Sequence, residues 1–364
     1  MKKKIIFTVT NDLSFDQRME RICIALNDAG YECVLVGRLR SSSKELNQKS
    51  YEQIRIPCLF DRGKLFYIEY NFKLFWSLLF RKSDALCAID LDTLLPAYIV
   101  SKLSSKVIIY DSHEYFTELE EVITRPFVHK IWSIIERAIV PKLKHCYTIS
   151  SGYAGLFKTA YDGNFEVIRN VPLKREIQYS KPPSPFIIYQ GALNIGRGLE
   201  ESILAMREID SIQLRIYGDG PIREKLEGII DSNNLSDKVK LHGSISPEQL
   251  RLITPQARFG LTLFSKTGMH HLHSMANRFF DYFHADIPQI AMGFPEYESF
   301  NREHEVAHLV DDLTADTISE AIKHLLQNEG ELTRLKNNCS SARDACNWQE
   351  ESLKLVKFYN EALK

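Results

Sequence analysis

The stretch Phe186-Ile-Ile-Tyr-Gln-Gly-Ala-Leu-Asn-Ile-Gly-Arg-Gly198 indicates the fold of this chain. Its first five residues are an apolar run typical of a buried β-strand, and the glycines after it precede a helical pattern. Strand, glycine-rich loop and helix in this order are typical of a parallel α/β sheet. Gly191 would let a phosphate approach the backbone, and Arg197 offers it a charged, bidentate donor. The spacing is not the dinucleotide Gly-x-Gly-x-x-Gly motif, so a plain turn with a surface arginine remains the alternative.

The same alternation extends in both directions from this stretch. Downstream, the pattern predicts strands at 186–190, 213–217, 238–242, 258–264 and 287–291, with helices at 198–208, 221–231, 247–254, 276–285 and 315–328. Upstream, it predicts strands at 4–9, 32–37, 53–58, 84–90, 106–111 and 145–149, with helices at 16–29, 93–103 and 126–143. A proline-containing polar linker near 170–185 separates the two series. We therefore predict an α/β fold of two doubly wound Rossmann-like domains facing a cleft, 1–172 and 185–346.

Composition excludes several classes of protein. The chain has 364 residues, 44% of them apolar and 26% charged, with a net charge of -1, which is an ordinary globular balance. A disordered, collagen-like or nucleic-acid-binding protein is not expected. The charges are uneven, however: residues 1–180 hold 26 basic and 21 acidic side chains, and the remainder holds 20 and 26. We expect the two halves to face different partners.

The cysteines, the first residues and the lengths of the apolar runs indicate the cellular compartment of the protein. The seven cysteines are scattered without a Cys-x-x-Cys pair, which favours a reducing cytoplasm over a disulfide framework or structural zinc. The short apolar run after Met1 is interpreted as a first strand rather than a signal peptide. The sequence contains no run of 18 apolar residues, so no membrane-spanning helix is expected.

Two loops of the second half are candidates for binding a nucleotide. Gly218, Asp219 and Gly220 follow a strand and either line a wall for the base or only tighten a turn. The segment 266–282 runs from a strand end into a helix, and its candidates are Ser274 and Asn277 as helix caps, Arg278 for a diphosphate and Asp281 for ribose hydroxyls. A solvated helix residue is the alternative for Asp281. The histidines nearby match no zinc pattern, so no metal site is predicted for His270, His271, His273 and His284.

The first half offers candidates at the equivalent sheet edge. His113 follows a strand, where it could contact a sugar or donate to a developing charge, with Asp111 and Glu114 beside it. A structural histidine is the alternative. The first strand is followed by residues at which an acceptor could bind, namely Asn11, Asp12 and Asp16.

Residues 64–82 are aromatic, apolar and interrupted by cations. Such a segment docks on an anionic membrane surface or packs on the sheet as an ordinary amphipathic helix. The basic balance of the first half favours the membrane.

Taken in order, these segments resemble the family-4 retaining glycosyltransferases of the GT-B fold, of the bacterial envelope-polysaccharide type. The resemblance covers nearly the whole chain and rests on Asp16–Met19, Asp111–Glu114, Arg169–Pro172, Gly191–Gly198, Gly218–Pro221, Ser274–Tyr282, Ala285–Pro288 and Phe294–Tyr297. It implies that the C-terminal helix, 350–364, crosses back to the first domain.

The resemblance also implies roles for single residues. Arg197 would neutralise the departing diphosphate, Asn277 and the loop before it would hold that group, Asp281 would bind the ribose and His113 would contact the transferred sugar. Two departures are visible: His273 and Asp281 stand where the family often has two glutamates, and Ala192 stands where it often has an arginine.

We therefore expect a cytoplasmic, metal-independent, retaining hexosyltransferase, peripheral at the inner face of the plasma membrane. Its donor would be a UDP- or GDP-linked sugar, without a further cofactor, and its acceptor a glycan or a lipid-linked glycan. The alternatives are a sugar-nucleotide epimerase or hydrolase of the same fold, and a non-catalytic partner subunit, which the departures motivate.

Overall fold

The computed structural model describes residues 2–180, 182, 184–266 and 269–364 and divides the chain into two compact units. The first unit runs to Asn170 and also includes Glu351–Lys364; the second is Val171–Glu350. The boundary falls at the start of the stretch that the sequence suggests as a linker, near 170–185, so nearly all of that stretch belongs to the second unit. Residues 181 and 183 lie outside the described part of the chain.

The first unit is built on a parallel sheet of seven strands in the order β3-β2-β1-β4-β5-β6-β7. The strands are β1 Lys4–Thr8, β2 Glu32–Leu39, β3 Glu52–Pro57, β4 Ala85–Ile89, β5 Val107–Ser112, β6 His145–Thr148 and β7 Phe165–Val167. The central strand β1 pairs in parallel with both β2 and β4, so the strand order reverses beside it. Loops at the carboxyl ends of β1 and β4 are thus where such a sheet binds ligands.

Helices connect these strands as parallel crossovers require. They are α1 Gln17–Asp28, α2 Gly63–Phe80, α3 Leu91–Ser104, α4 Glu120–Ile123, α5 Pro126–Ile139 and α6 Ser151–Tyr161, with 3₁₀ turns at Phe116–Glu118 and Val140–Lys142. Asp16 caps α1 by accepting the amide of Met19, and Ser150 caps α6 by accepting the amide of Tyr153. The core under α2, α3 and α5 is apolar and includes Tyr70 and Trp132.

The second unit repeats the arrangement with six parallel strands in the order β10-β9-β8-β11-β12-β13. These strands are β8 Phe186–Gln190, β9 Gln213–Tyr217, β10 Val239–Gly243, β11 Phe259–Thr262, β12 Gln289–Met292 and β13 Ala307–Val310. Here β8 is central and pairs with β9 and β11, so the loop after β8 lies at the reversal point. Both units are Rossmann-like, as the sequence predicts.

The helices of the second unit follow its strands. They are α7 Leu199–Ala205, α8 Arg223–Ser232, α9 Pro247–Ile253, α10 Met269–Leu272, α11 Asn277–His284, α12 Pro295–His304, α13 Ala315–Gln327 and α14 Glu329–Ala345, with 3₁₀ turns at Met206–Glu208 and Thr254–Gln256. The predicted capping of α11 by Ser274 or Asn277 is wrong: the N-cap residue is Ala276, whose side chain makes no capping hydrogen bond. The amide of Ala276 donates to the Tyr297 hydroxyl at 3.0 Å.

The last helix, α15 Trp348–Ala362, begins in the second unit and continues into the first. Within the first unit its Tyr359 packs against Phe7 at 6.1 Å between ring centroids and donates to the sulfur of Cys87. Glu351 accepts the backbone amide of Arg169 at 2.8 Å. The helix therefore completes the core of the first unit. In the described part of the chain, no helix is both long and apolar enough to cross a bilayer.

Candidate functional site

Three loops of the second unit meet at the carboxyl ends of its central strands. The amide of Leu193 donates to the carbonyl of Asp219 at 3.0 Å, which joins the loop after β8 to the loop after β9. The amide of Ser265 donates to the carbonyl of Gly196 at 2.9 Å, which joins the first loop to the segment after β11. The candidate loops of the sequence are therefore neighbours. Residues 267 and 268 of the third loop lie outside the described part of the chain.

Gly218 is required by this loop packing. Its φ is 155°, and a Cβ added there would lie 1.8 Å from the carbonyl oxygen of Gly191. At Gly220 a Cβ would lie 2.5 Å from the carbonyl oxygen of Leu193. The carboxylate of Asp219 accepts the amide of Gly220 and is exposed to solvent. These contacts account for the Gly-Asp-Gly motif by backbone packing, and a base-binding role for it stays a prediction.

Arg278 lies on α11 with its guanidinium buried between aromatic rings. The guanidinium carbon is 4.6 Å from the ring centroid of Tyr189 and 4.5 Å from that of Phe264. It donates to the Tyr189 hydroxyl at 3.1 Å and to the Leu263 carbonyl at 3.3 Å. Among the described residues, no carboxylate forms an ion pair with Arg278. A cation buried without an anion is costly and marks a place where a negative ligand is stabilised.

Arg197 brings a second cation to the same ring, with its guanidinium carbon 5.0 Å from the Phe264 centroid. The ring of His271 lies 4.8 Å from Phe264, and His270 lies 5.1 Å from His271. Burial, followed by the charge of Arg197, lowers the pKa of His270 to about 4. Burial and the neighbouring cations lower the pKa of His271 to about 3. Both rings are therefore neutral at pH 7. Arg197 and Arg278 carry the positive charge here, and the neutral rings of His270 and His271 lie beside them. We call these four residues the cationic cluster.

The remaining candidates of the third loop lie around this cluster. Asp281 accepts a hydrogen bond from the side-chain amide of Gln190 at 3.0 Å, and the hydroxyl of Thr254 holds Gln190 from the other side. Gln190 ends the central strand, so Asp281 lies at the same sheet edge as the glycine loop. Asn277 begins α11, and Ser274 and His273 precede it, partly exposed. His284, in contrast, bonds to the Cys346 carbonyl at the other end of α11 and does not join the other histidines.

In the first unit, His113 is held by a buried charge pair. Its Nε2 lies 2.7 Å from Asp111 Oδ2 and 2.8 Å from Arg18 Nε, and Arg18 also pairs with Asp111 at 3.3 Å. One ring nitrogen cannot donate to a carboxylate and accept from a guanidinium at once. We favour donation to Asp111, because a hydrogen bond to a buried carboxylate is the stronger of the two. That assignment leaves Nδ1 of His113 for a ligand.

The protonation states of this group follow from burial and the neighbouring charges. Burial opposes the charge on Asp111, but His113 and Arg18 outweigh it and lower the pKa of that carboxyl. Burial also acts against protonation of His113, yet the charge of Asp111 prevails and the pKa of the ring is raised. The raised pKa favours the protonated ring of His113, which can donate a hydrogen bond or a proton.

Sequence reasoning missed two carboxyls that follow β4, one of which contacts His113. Asp90 follows β4 with a φ of 56° and accepts the amide of His113 at 2.8 Å and that of Glu114 at 3.2 Å. Burial raises the pKa of Asp90 to about 8, and it raises the pKa of Asp92, which accepts from Thr10, to about 7. The signal was an Asp-x-Asp pair at the end of an apolar strand, the same kind of position that singled out His113.

The candidates after β1 mainly shape their own loop. Asn11 accepts the amide of Leu13 and donates to Asp16, the helix cap. Asp12 accepts the amide of Ser14 at 3.2 Å and the hydroxyl of Ser43 at 3.0 Å. These bonds satisfy their carboxylate and amide oxygens locally, so an acceptor-binding role for these residues stays a prediction.

The segment 64–82 forms α2, which is apolar on two faces. One face packs on the sheet through the buried side chains Phe66, Tyr70, Leu74 and Leu78. The other is exposed, with Ile68 at 67%, Phe72 at 65% and Phe80 at 78%. Lys64 lies over the ring of Phe127 of α5, so the two helices are neighbours. We call the exposed side chains of α2 and α5 the apolar surface: Leu65, Ile68, Phe72, Trp76, Phe80, Phe127, Ile131 and Ile134.

Comparison with known protein families finds a match in the second unit. Residues 171–341 match the family described as glycosyl transferases group 1. The match covers just under half of the chain and contains the cationic cluster. No curated protein sequence was found to match the chain.

Solved structures of glycosyltransferases share the fold over the whole length. Sucrose-phosphate synthase from Thermosynechococcus elongatus is 15% identical with a TM-score of 0.84, over 99% of both chains. WaaG, a glycosyltransferase involved in lipopolysaccharide biosynthesis, is 13% identical with a TM-score of 0.74, over 97% of this chain and 98% of that one. Anabaena HepE, solved with UDP and glucose, is 11% identical with a TM-score of 0.77, over 98% and 99%. At these identities the likeness shows the GT-B fold alone.

Proposed function

We propose that this chain, whose residues 171–341 match glycosyl transferases group 1, is a glycosyltransferase. It transfers a sugar from a nucleoside-diphosphate sugar to a hydroxyl group of a glycan or lipid-linked glycan and retains the anomeric configuration. The nucleotide of the donor binds the second unit. UDP is the first nucleotide to test, because the structure of HepE contains it.

The observation that carries this proposal is the cationic cluster. The guanidinium carbons of Arg197 and Arg278 lie 5.0 and 4.5 Å from the ring centroid of Phe264. Burial first, and then the neighbouring cations, lowers the pKa of His270 to about 4 and that of His271 to about 3. A diphosphate would bring a negative charge to the buried guanidinium of Arg278, which has no ion pair among the described residues. Arg197 is partly exposed and bonds the diphosphate directly, while Arg278 acts from its buried position beside Gly191.

The chemistry asks for charge stabilisation at this place. In the transfer, the bond between the anomeric carbon and the phosphate oxygen breaks, and its electron pair stays on the diphosphate. The acceptor hydroxyl attacks the same face of the sugar and gives its proton to the departing phosphate oxygen. Fixed cations beside the diphosphate lower the barrier, because they are already oriented towards the charge that develops. No metal or further cofactor is needed in this scheme.

Two other residues complete the assignment. Asp281, held by Gln190, offers its carboxylate to the ribose hydroxyls of the donor. His113, with a raised pKa and Nδ1 left for a ligand, donates a hydrogen bond to the transferred sugar. The acceptor is assigned to the first unit, whose candidates are Asn11, Asp12, Asp16 and Glu114.

Nucleotide binding is the decisive test. Titration calorimetry with UDP and GDP should give saturable binding to the wild-type chain, and turnover should follow with the matching sugar nucleotide. Arg197→Ala should weaken binding and slow turnover by about two to three decades, because the mutation removes a charge that acts mostly on the transition state. Arg215→Gln is the matched control: Arg215 also stacks on an aromatic ring, Phe186, but at the amino end of β8.

The outcomes separate the rival functions. Absence of any nucleotide affinity would overturn the proposal and favour a non-catalytic subunit. Conversion of the sugar nucleotide without an acceptor would favour an epimerase or hydrolase. If the coupling of the anomeric proton in the NMR spectrum showed that the product has the opposite anomeric configuration to the donor, retention alone would be overturned.

We also propose that the apolar surface of the first unit rests on an anionic membrane. Its exposed side chains recur at helical spacing on α2 and again on α5, where Phe127 is 66% and Ile134 58% exposed. Exposed apolar side chains that are grouped on a helix face, rather than scattered singly, mark a binding surface. Lysines and arginines border it, namely Arg62, Lys64, Arg81, Lys82, Arg125 and Lys130. Apolar side chains framed by cations fit the interface of a bilayer with anionic lipid.

Co-sedimentation with vesicles tests this surface. The wild-type chain should bind vesicles of phosphatidylcholine with phosphatidylglycerol, less so at high salt, and Ile68→Ser with Phe72→Ser should reduce binding at least about tenfold. Leu353→Ser is the control, since Leu353 is 64% exposed but lies on α15. Equal binding by the double variant and the control, or none by the wild type, would refute the membrane proposal and leave sugar transfer untouched.

A further inference from the structure

A second polar cluster lies in the second unit, built from three elements. His308 is on the edge strand β13, His324 in the last turn of α13 and Glu331 in the first turn of α14. His308 Nδ1 is 3.2 Å from Glu331 Oε1, and His324 Nε2 is 2.6 Å from Glu331 Oε2. One ligand atom from each residue can be chosen so that all three lie within 4.8 Å of one another.

The cluster lies away from the cationic cluster. α13 follows β13 and runs back along the sheet, so its last turn reaches the amino-terminal edge of the strands. The cationic cluster is at the carboxyl-terminal edge, after β8 and β11. The reaction proposed above therefore gives no reason for His308, His324 and Glu331 to be together.

We infer that His308, His324 and Glu331 form a binding site for a divalent transition metal, with Zn²⁺ as the best fit. Two imidazole nitrogens and one carboxylate oxygen are the ligand types that Zn²⁺ takes when a fourth position is left to water. Ligands in a tetrahedral zinc site are roughly 3.4 Å apart, given bonds of about 2.1 Å. The two distances to Glu331, 3.2 Å and 2.6 Å, are both shorter than that spacing, and no pair of the chosen ligand atoms is more than 4.8 Å apart. Small side-chain movements therefore reach the tetrahedral spacing, and the side chain of His324 is 46% exposed and free to make them.

The backbone around the cluster holds the ligands in register. Asn328 caps α14 by accepting the amide of Glu331 at 3.1 Å, and its own amide donates to the carbonyl of His324 at 2.9 Å. One residue thus fixes the positions of two ligands. The rings of His308 and His324 are 5.0 Å apart and tilted by 32°. Glu331 is only 19% exposed, which limits the motion of the carboxylate.

The bound ion would tie the edge strand to the turn between two helices. Each neutral histidine would bind it through the lone pair of the ring nitrogen that faces Glu331, with the ring proton on the other nitrogen. Its role is structural, and the sugar transfer proposed above does not use it.

Calorimetric titration of the chelator-treated chain with Zn²⁺ tests the site. We expect one equivalent bound and a rise in the thermal midpoint. His324→Ala and, as the conservative variant, Glu331→Gln should each weaken binding at least tenfold. His304→Gln should not, because His304 has Glu303 at 3.8 Å but was found in no three-ligand group of the described chain.

A Co²⁺ spectrum identifies the ligands. Visible bands of tetrahedral Co²⁺ without a thiolate charge-transfer band are expected, since the set holds no cysteine. A thiolate band would place the ion on one of the seven cysteines and overturn the inference. Binding below one equivalent, or binding as tight as the wild type in His324→Ala or Glu331→Gln, would overturn it as well. Nucleotide affinity should be unchanged in both variants, so this result is independent of the proposed sugar transfer.

Discussion

At the scale of single residues, His113 owes its charge state to Asp111 and Arg18. Asp111 favours the protonated ring, while burial and Arg18 oppose it. A histidine with a raised pKa stabilises the fold below its unfolded value of 6.5, and that stability is lost as the pH rises through the folded value.

Two substitutions should move the titration of His113 in opposite directions. Asp111→Asn should lower its pKa below 6.5, because burial and Arg18 then act against the charged ring. Arg18→Met should raise it further, because one opposing charge is gone. The Hε1 resonance, assigned with His113→Gln, reports the midpoint by NMR.

The two variants also protect the test against misfolding. Asp111→Asn leaves a buried arginine unpaired and costs about 3–5 kcal/mol of stability. If that variant does not fold, Arg18→Met still decides. A midpoint that stays at the wild-type value in Arg18→Met would contradict the charge network described for His113.

Residue-level chemistry was partly visible in the sequence. His113, Arg197 and Arg278 follow strands in a parallel pattern, so they could be predicted to lie at the carboxyl edge of a sheet. Arg18 and Asp111 are 93 residues apart, and no local pattern relates them. The same holds for the contact of Arg197 and Arg278 with Phe264, which only the folded loops reveal.

At the scale of elements, the loop after β9 and the helix α8 use glycine in opposite ways. Gly218 lies against the carbonyl of Gly191, with no space for a Cβ. Gly228 lies inside α8, where an added Cβ meets nothing within 4 Å. The first is a packing requirement, while the second weakens the helix.

Alanine at these two positions should therefore have opposite effects. Gly218→Ala should destabilise the chain by about 3 kcal/mol or more, because backbone must move to admit the methyl group. Gly228→Ala should stabilise it by about 0.5–1 kcal/mol. Urea denaturation of both variants at equal slope measures the difference. If Gly218→Ala left the free energy of unfolding unchanged, or lowered it less than Gly228→Ala does, the loop packing described here would be contradicted.

Among the elements that the sequence did not predict, β7, β13 and α14 share a weak pattern. β7 has three residues and β13 four, and β13 contains His308 at a partly buried position. Neither strand is an unbroken apolar run, because β7 contains Glu166 and β13 contains His308. The long helix α14 buries only four side chains, so its polar face dominated the pattern. Tertiary packing decides all three, which is why a local interpretation passed over them.

At the scale of the whole molecule, the charge asymmetry of the sequence follows the structural division. We call Glu351–Lys364 the returning segment. With it, the first unit holds 27 basic and 22 acidic residues, and the second unit holds 19 basic and 25 acidic residues. The differences are again +5 and -6. An acidic unit that binds an anionic nucleotide needs a strong local cation site, since its overall field repels the ligand. The cationic cluster meets that need.

The returning segment affects how the chain is made. Tyr359 and its neighbours on α15 belong to the core of the first unit, yet they are synthesised after all 180 residues of Val171–Glu350. The core of the first unit is therefore completed only after the second unit has been synthesised. Until then the first sheet lacks the helix that covers its apolar side chains, and exposed apolar surface of this kind favours aggregation and chaperone binding.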